Sequence, residues 1–430
     1  MDTIFAQATA VGRAGVSVVR VSGPKAHEIC EHMVGTLPIP RATALRMVSG
    51  RDGEFIDQAL VLRFDAPGSF TGEDVVELHL HGSIAIVRRV LDELSQIADV
   101  RVAEPGEFTR RALENGRLDL VQVEGLADLI EAETEAQRKQ ALRVLSGALG
   151  AKVEVWRYAL IRSAALLEAT IDFADEDVPI DVSDEVRELL NGVEIDLVRE
   201  IQGTKAAERI RTGFEVAIIG APNVGKSTLL NRLAGRDAAI TSSIAGTTRD
   251  VIEVRMDLGG LPVTLLDTAG IRSSSDEIET MGIERALRRA EAADLRIFLL
   301  NHDEVDLDSI KPSEGDLVLY AKGDLRGQSY PAISGQTGSG VDQLMAEVGR
   351  ALEAQASGAG LATHARHASS MSLSHACLSR ATELLDFGPD RYDIAAAELR
   401  IGIRALEVLV GRIDAENLLD EIFSSFCLGK

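Results

Sequence analysis

Hydrophobic and polar positions along this chain keep one period for a stretch and then change it. From residue 1 to about 116, short runs such as GVSVVRVSG, QALVLRF and DVVELHLHG alternate apolar with polar side chains and are broken by Gly and Pro. A period of two marks half-buried strands, whereas 83–97 spaces its apolar residues by three and four, as a helix does. A small α+β domain is predicted over 1–116. From 117 the breakers thin out, and LDLVQVEGLADLIEAETEAQRKQALRVLSGALGAKVEVWRYALIRSAALLEATIDF keeps the helical spacing, predicting long antiparallel helices over 117–212. At 213 the pattern switches to strand, helix, strand and stays α/β to 353. Helices resume from about 367 to 424, after the small-residue linker AQASGAGLATHA, so 354–430 reads as the second part of the helical domain. Helix, α/β unit, helix predicts that one module is inserted into another, which is tolerated where domain ends lie close together.

Composition agrees with several folded domains. A chain of 430 residues exceeds what a single core usually fills, and 45% hydrophobic with 26% charged residues fits a globular rather than a disordered protein. The net charge of -23 excludes a protein that coats nucleic acid by charge alone, so an RNA partner needs a local patch or a second subunit. Cys30, Cys377 and Cys427 lie far apart without a CxxC pair, which argues against a disulfide framework or a zinc site. The opening MDTIFAQATAVGRAGVSVVR lacks the basic, apolar and cleavage regions of a signal peptide, and no apolar run reaches about 18 residues. A soluble, cytoplasmic protein with no membrane span is expected.

EVAIIGAPNVGKSTLLNRL carries G-x-x-x-x-G-K-S from Gly220 to Ser227, with an apolar strand before it and an amphipathic helix after it. Gly220 and Gly225 let backbone N–H groups wrap a phosphate chain, Lys226 adds a point charge, and Ser227 can ligate magnesium. The nucleotide-binding stretch here is Asn223, Val224, Gly225, Lys226, Ser227 and Thr228. Downstream, TSSIAGTTRD and LLDTAGIR fit two switch loops. Thr248 offers a second hydroxyl to magnesium, Asp267 can hold the ion through water, and Gly270 offers an N–H to the terminal phosphate.

These spacings resemble the Ras-like, translation-factor-related GTPases rather than kinases or other ATPases. The resemblance assigns GTP contacts to Ser242, Ser243, Ile244, Ala245, Gly246, Thr247 and Thr248 and to Asp267, Thr268, Ala269 and Gly270. Where those GTPases carry Asn-Lys-x-Asp after a strand, LVLYAKGD has Ala321 in the asparagine place, followed by Lys322 and Asp324. Asp324 can still accept two hydrogen bonds from guanine. AISGQTGSG resembles the second base loop, with the backbone of Ser334, Gly335 and Gln336 facing the guanine oxygen. Weaker nucleotide affinity is expected.

Asn223 within GAPNVGKS, together with the TSSIAGTTRD loop, resembles the potassium-activated TrmE-Era-EngA-like GTPases, in which a monovalent cation beside the phosphates replaces an arginine finger. The implied potassium ligands are Asn223, Ser242, Ile244 and Thr247, and the implied magnesium ligands Ser227 and Thr248. DTAGIRSSSDEIETMGIERA resembles the switch of the tRNA-modifying MnmE (TrmE) family, whose catalytic glutamate falls on Glu279; read alone, Glu279 is an ordinary solvated charge.

The likeness to that family runs nearly end to end, through DTIFAQAT, GRAGVSVVRVSG, SFTGEDVVELHLHG, AEPGEFTRRALENGRLDLVQVEGLADLI, IDFADED and the closing IFSSFCLGK. It implies a multidomain chain: an α+β N-terminal domain that binds a reduced folate (5-formyl- or methylene-tetrahydrofolate) and forms a homodimer, an all-α helical domain, and an inserted Ras-like α/β P-loop GTPase domain. Folate contacts carry over to Arg20, Glu77, Arg117 and Lys430. A carboxylate suits the donor edge of a pterin, and the cations suit the folate tail. Cys427 is either a catalytic thiol beside one-carbon chemistry or a small apolar filler. HLHG places His79 and His81 on one strand face, but no third ligand stands nearby at a persuasive spacing for a metal.

The family implies a GTPase that works with the FAD-dependent partner MnmG. Together they would place a carboxymethylaminomethyl or aminomethyl group at C5 of the wobble uridine of tRNA, using GTP, Mg2+, K+ and methylene-tetrahydrofolate. Two other readings remain. A ribosome-assembly GTPase shares the phosphate loop, but it carries a basic KH-type domain that this acidic chain lacks. A GTP-regulated folate-binding scaffold without catalysis is separated by a direct hydrolysis assay.

Overall fold

Alternation in the first hundred residues produces one six-stranded sheet. Its strands are β1 (Thr3–Gln7), β2 (Ala14–Ser22), β3 (Thr43–Ser49), β4 (Phe55–Phe64), β5 (Val75–Gly82) and β6 (Val100–Val102), in spatial order β3-β4-β5-β2-β1-β6. Every neighbouring pair is antiparallel except β1 with β6. The computed structural model describes residues 2–172, 182–235, 239–240, 253–267, 288–301, 311–327, 330–413, 422–423 and 429. It divides into two compact units, 1–127 with 407–430, and 128–406.

In the first unit, Phe5, Val19, Val21, Val61, Val76 and Leu78 project from one sheet face. They pack against Ile29, Cys30 and Met33 of α1 (Ala26–Val34) and Val87, Val90 and Leu94 of α2 (Ile84–Ser95). The other residues of each strand face the opposite way, as the pleat requires. There Ile4 and Ala6 pack with Phe108 of α3 (Glu107–Glu114), and Arg20 of β2 lies opposite Glu77 of β5. Beyond α3 begins α4 (Leu120–Glu131), whose Val123 clusters with Phe423. Gly106, at φ +70°, makes room for that ring, since a Cβ there would lie 2.8 Å from Phe423 Cδ1.

The second unit sets helices around a second sheet. Its scaffold is α5 (Glu135–Leu145), α6 (Ala148–Asp172) and α7 (Ser183–Thr212), and α7 spans about 45 Å at the usual helical rise. Thr134 and Gln137 close a capping box at the start of α5. Gly213, at φ +96°, ends α7 and leads straight into β7 (Phe214–Ile219). The following elements are α8 (Lys226–Ala234), β8 (Glu253–Leu258), β9 (Leu261–Asp267), β10 (Leu295–Leu300), β11 (Leu317–Tyr320), α9 (Gly323–Arg326) and α10 (Val341–Ala356). The strands lie in order β11-β10-β7-β9-β8, parallel except for the β8–β9 hairpin, which turns at Gly259 and Gly260. Leu229, Leu230 and Leu233 of α8 and Leu344, Met345 and Val348 of α10 share a core with Val216, Ile218, Val263 and Leu265.

The chain then returns to the scaffold. Gly360 N–H donates to the Gly203 carbonyl at 3.2 Å, and a Cβ on Gly203 would lie 2.6 Å from Gly360 N. Glu200, buried beside it, accepts from Lys152 Nζ and from Leu361 N, each at 2.8 Å. Next come α11 (Ala365–Leu385), which packs along α7, and α12 (Tyr392–Leu409). Among the described residues no helix is long and apolar enough to cross a membrane.

Candidate functional site

The parallel strands of the second sheet end together, and at the carboxyl end of β7 the chain enters the glycine loop. Loops there are where open α/β sheets bind ligands. Gly220 is needed for packing: a Cβ would come 2.3 Å from the Leu299 carbonyl of β10. Asn223 sits at φ +63°, a left-handed conformation that asparagine tolerates, and Gly225 at φ +120° starts α8. The first N–H groups of α8 have no helical acceptors, so they point at whatever the loop encloses.

Lys226 is buried, and its Nζ donates to the carbonyls of Gly220 at 2.5 Å and Ala221 at 3.0 Å. Burial lowers its pKa, against the opposing pull of Asp267. A phosphate oxygen displaces such carbonyls readily, because a bond between two charged groups is stronger. Asp267 ends β9 opposite Ile218, and its Oδ2 accepts from Ser227 Oγ at 2.9 Å. A hydroxyl and a carboxylate side by side are hard oxygen donors of the kind that suit Mg2+.

A cavity of about 220 Å³ adjoins this loop, lined by Asn223, Val224, Gly225, Thr228, Ala321, Lys322, Asp324, Ser334, Gly335 and Gln336 among others. The structure therefore brings the two segments expected to read the base to the glycine loop. Ala321 is buried and donates its N–H to the Leu300 carbonyl, and Lys322 takes φ +59°. Segment 320–323 is fastened to 331–333 by Tyr320 N to Pro331 O, Ile333 N to Tyr320 O and Gly323 N to Ile333 O. Gly335 rests on α8, where a Cβ would lie 2.8 Å from Leu229 N. The sequence reading passes over Arg232, which donates to the carbonyls of Gln336 at 3.1 Å and Thr337 at 2.9 Å. Its one signal is its place one turn beyond Thr228 on the same helix.

On the sheet of the first unit, Arg20 Nε donates to Glu77 Oε1 at 2.9 Å, and its guanidinium carbon lies 5.5 Å from the ring centres of both Phe70 and Phe108. Both rings lie within the motifs that carry the family likeness, but the sequence reading gave neither a role. Phe70 belongs to a loop tied down by Glu73, which takes bonds from Ser22 and from the buried Arg111. Arg117 is exposed and lies over Gly72 of that loop, without an ion pair to Glu77. His79 Nε2 is 3.4 Å from Glu77 Oε2, whereas His81 bonds Asp57 at 2.8 Å, so the two histidines serve different carboxylates. Cys30 and Cys377 are buried free thiols. Glu279, Cys427, Lys430, Ser242, Ser243, Ile244, Ala245, Gly246, Thr247, Thr248, Thr268, Ala269 and Gly270 lie outside the described residues.

Comparison with known proteins fits both regions. The family described as GTP-binding protein TrmE N-terminus matches residues 3–117, and the MnmE helical domain matches 120–427. The tRNA modification GTPase MnmE of Roseobacter denitrificans is 65% identical over 430 residues, with 100% of each chain covered. Its counterpart from Ruegeria pomeroyi is 60% identical over 430 residues, again with 100% of each covered. A solved structure of Aquifex aeolicus Era bound to GDP.AlF4- is 29% identical and covers 32% of this chain and 56% of that one, at a TM-score of 0.26, too low to add to the fold seen directly. With one family model spanning most of the chain and relatives matching it from end to end, the chain belongs to the MnmE/TrmE family of tRNA modification GTPases.

Proposed function

We propose that this chain hydrolyses GTP at the loop from Gly220 to Ser227 and couples that hydrolysis to modification of the tRNA wobble uridine. The observation that carries the first half is the Ser227–Asp267 pair at 2.9 Å beside buried Lys226, next to a cavity lined by Asp324. Bound magnesium would neutralise charge on the phosphates. Ser227, with Thr248, would hold it, Lys226 and the α8 N-terminus would bind the outer phosphates, and Asp324 would read the guanine edge. Asn223, with Ser242, Ile244 and Thr247, would hold potassium, and Glu279 would orient the attacking water.

The N-terminal domain would bind a reduced folate, 5-formyl- or methylene-tetrahydrofolate, as the carbon source. The Arg20–Glu77 pair beside the exposed ring of Phe70 supports this reading, because an accessible aromatic face next to a carboxylate suits a flat, donor-rich pterin. Arg117 and Lys430 would meet the anionic tail, and Cys427 would stand beside the one-carbon unit. A homodimer would bring two nucleotide sites face to face during the cycle, with the FAD-dependent partner MnmG adding the carboxymethylaminomethyl or aminomethyl group at C5 in the cytoplasm. The test is the nucleoside profile of total tRNA from cells lacking this protein. Loss of the modified wobble uridine is expected, and an unchanged pool sinks the proposal.

A further inference from the structure

We propose that Arg232 is the positioning residue for the base-reading loop of this chain and supplies the bracing that the side chain at 321 does not. The inference rests on the nucleotide-site reading above. Ala321 lines the base cavity with a methyl group that can hold neither loop by a hydrogen bond. Backbone bonds between 320–323 and 331–333 fasten the two base segments to each other, which leaves the tip at 334–338 to be held against the phosphate-loop helix by other contacts.

That loop closes on itself through Ser334 N to Ser339 O, Gly338 N to Ser334 O and Thr337 N to Ser334 Oγ. From outside it, Arg232 on α8 forks onto the adjacent carbonyls of Gln336 and Thr337. Among the described residues no other side chain from beyond the loop is seen bonding to 334–338. Two glycines make the approach possible. A Cβ on Gly335 would collide with the α8 backbone, and one on Gly338, at φ +88°, would lie 2.3 Å from Arg232 Nη2. A planar guanidinium matches two neighbouring carbonyls, whereas an ammonium serves one well. Lys226 begins the same helix, so Arg232 sets the spacing between the phosphate charge and the backbone N–H groups that face the 6-oxo group of the base.

Such bracing acts on bound nucleotide in the ground state, so its loss falls on affinity and KM rather than on kcat. The experiment uses full-length protein and compares wild type, Arg232→Ala, Arg232→Lys and Asp324→Asn. It measures GDP and IDP binding by calorimetry, GTP hydrolysis by steady-state kinetics, and melting temperature. Arg232→Ala should weaken GDP and IDP alike by about fivefold, the scale of one net hydrogen bond, and raise KM with kcat nearly constant. IDP keeps the 6-oxo group but lacks the 2-amino group read by Asp324, so a parallel loss assigns the effect to the 6-oxo loop. Arg232→Lys should recover part of the affinity at an unchanged melting temperature. If Asp324→Asn weakens GDP while Arg232→Ala does not, or if Arg232→Ala lowers kcat at constant KM, the role of Arg232 is overturned. If Asp324→Asn leaves GDP affinity intact, the nucleotide-site reading itself fails.

Discussion

Gly429 rests on the backbone of Gln7 so closely that a Cβ at 429 would come within 2.1 Å of the Gln7 carbonyl oxygen. Its φ of +92° is one that only glycine adopts without strain. The penultimate residue is thereby fixed against the end of β1, on the sheet that carries Arg20 and Glu77. Gly429→Ala must move the tail, at a cost of roughly 1–3 kcal/mol for a strained backbone. Tetrahydrofolate affinity, measured by calorimetry, should fall about tenfold while GTP turnover holds; equal folate binding by both proteins would remove the tail from the folate pocket.

Potassium should accelerate GTP hydrolysis more than sodium does, because a cage of fixed size favours the larger ion. Asn223 already holds the left-handed turn of the phosphate loop, at φ +63°. Asn223→Ala should erase the difference between the salts. Steady-state rates in matched chloride buffers provide the check, and identical wild-type rates in the two salts would count against a cation at this loop.

Ala321→Asn should tighten GDP by about 1 kcal/mol, the net value of a typical hydrogen bond. Position 321 is buried and lines the base cavity, so the added amide enters the site rather than solvent. A weakened or unchanged GDP affinity by calorimetry would mean that the cavity cannot accept the amide in a bonding position.

Burial pushes the Cys30 thiol up to about 12, and it raises Cys377 as well, with Glu398 adding to the effect. At pH 8 the Cys30 thiolate is then a fraction of about one in ten thousand, and the thiolate is the reactive form. Iodoacetamide on the native protein should therefore spare Cys30, with peptide mass spectrometry reading the label. Label that does appear early should map to Cys427 and vanish in Cys427→Ser. Rapid labelling of Cys30 in the native state would contradict its burial.

Features built from neighbours in sequence were legible. Gly220 to Ser227 announces its turn, charge and helix start within one short stretch, and the β8–β9 hairpin is marked by Gly259 and Gly260. Features built from distant pairs were not. Arg20 and Glu77 are separated by 57 positions and meet only because β2 and β5 pair in one register. Arg232 reads as an ordinary helix-surface cation, since its acceptors lie 104 and 105 positions away. The helical stretch expected from 367 to 424 is interrupted at Gly388 and Pro389, between α11 and α12. The Gly-Pro pair was the available signal, because proline removes a donor and glycine takes φ +79° there.

The bond between Gly203 and Gly360 has a mechanical consequence. The stretch from 213 to 359 leaves the scaffold at the end of α7 and rejoins it at a crossing pinned by Glu200. The entropy of closing so long an excursion is charged to the crossing rather than to the sheet inside it. A movement at the phosphate loop therefore has two routes to the long helices, this crossing and α5, whose Ala136 N–H donates to the Gly260 carbonyl of the β8–β9 turn.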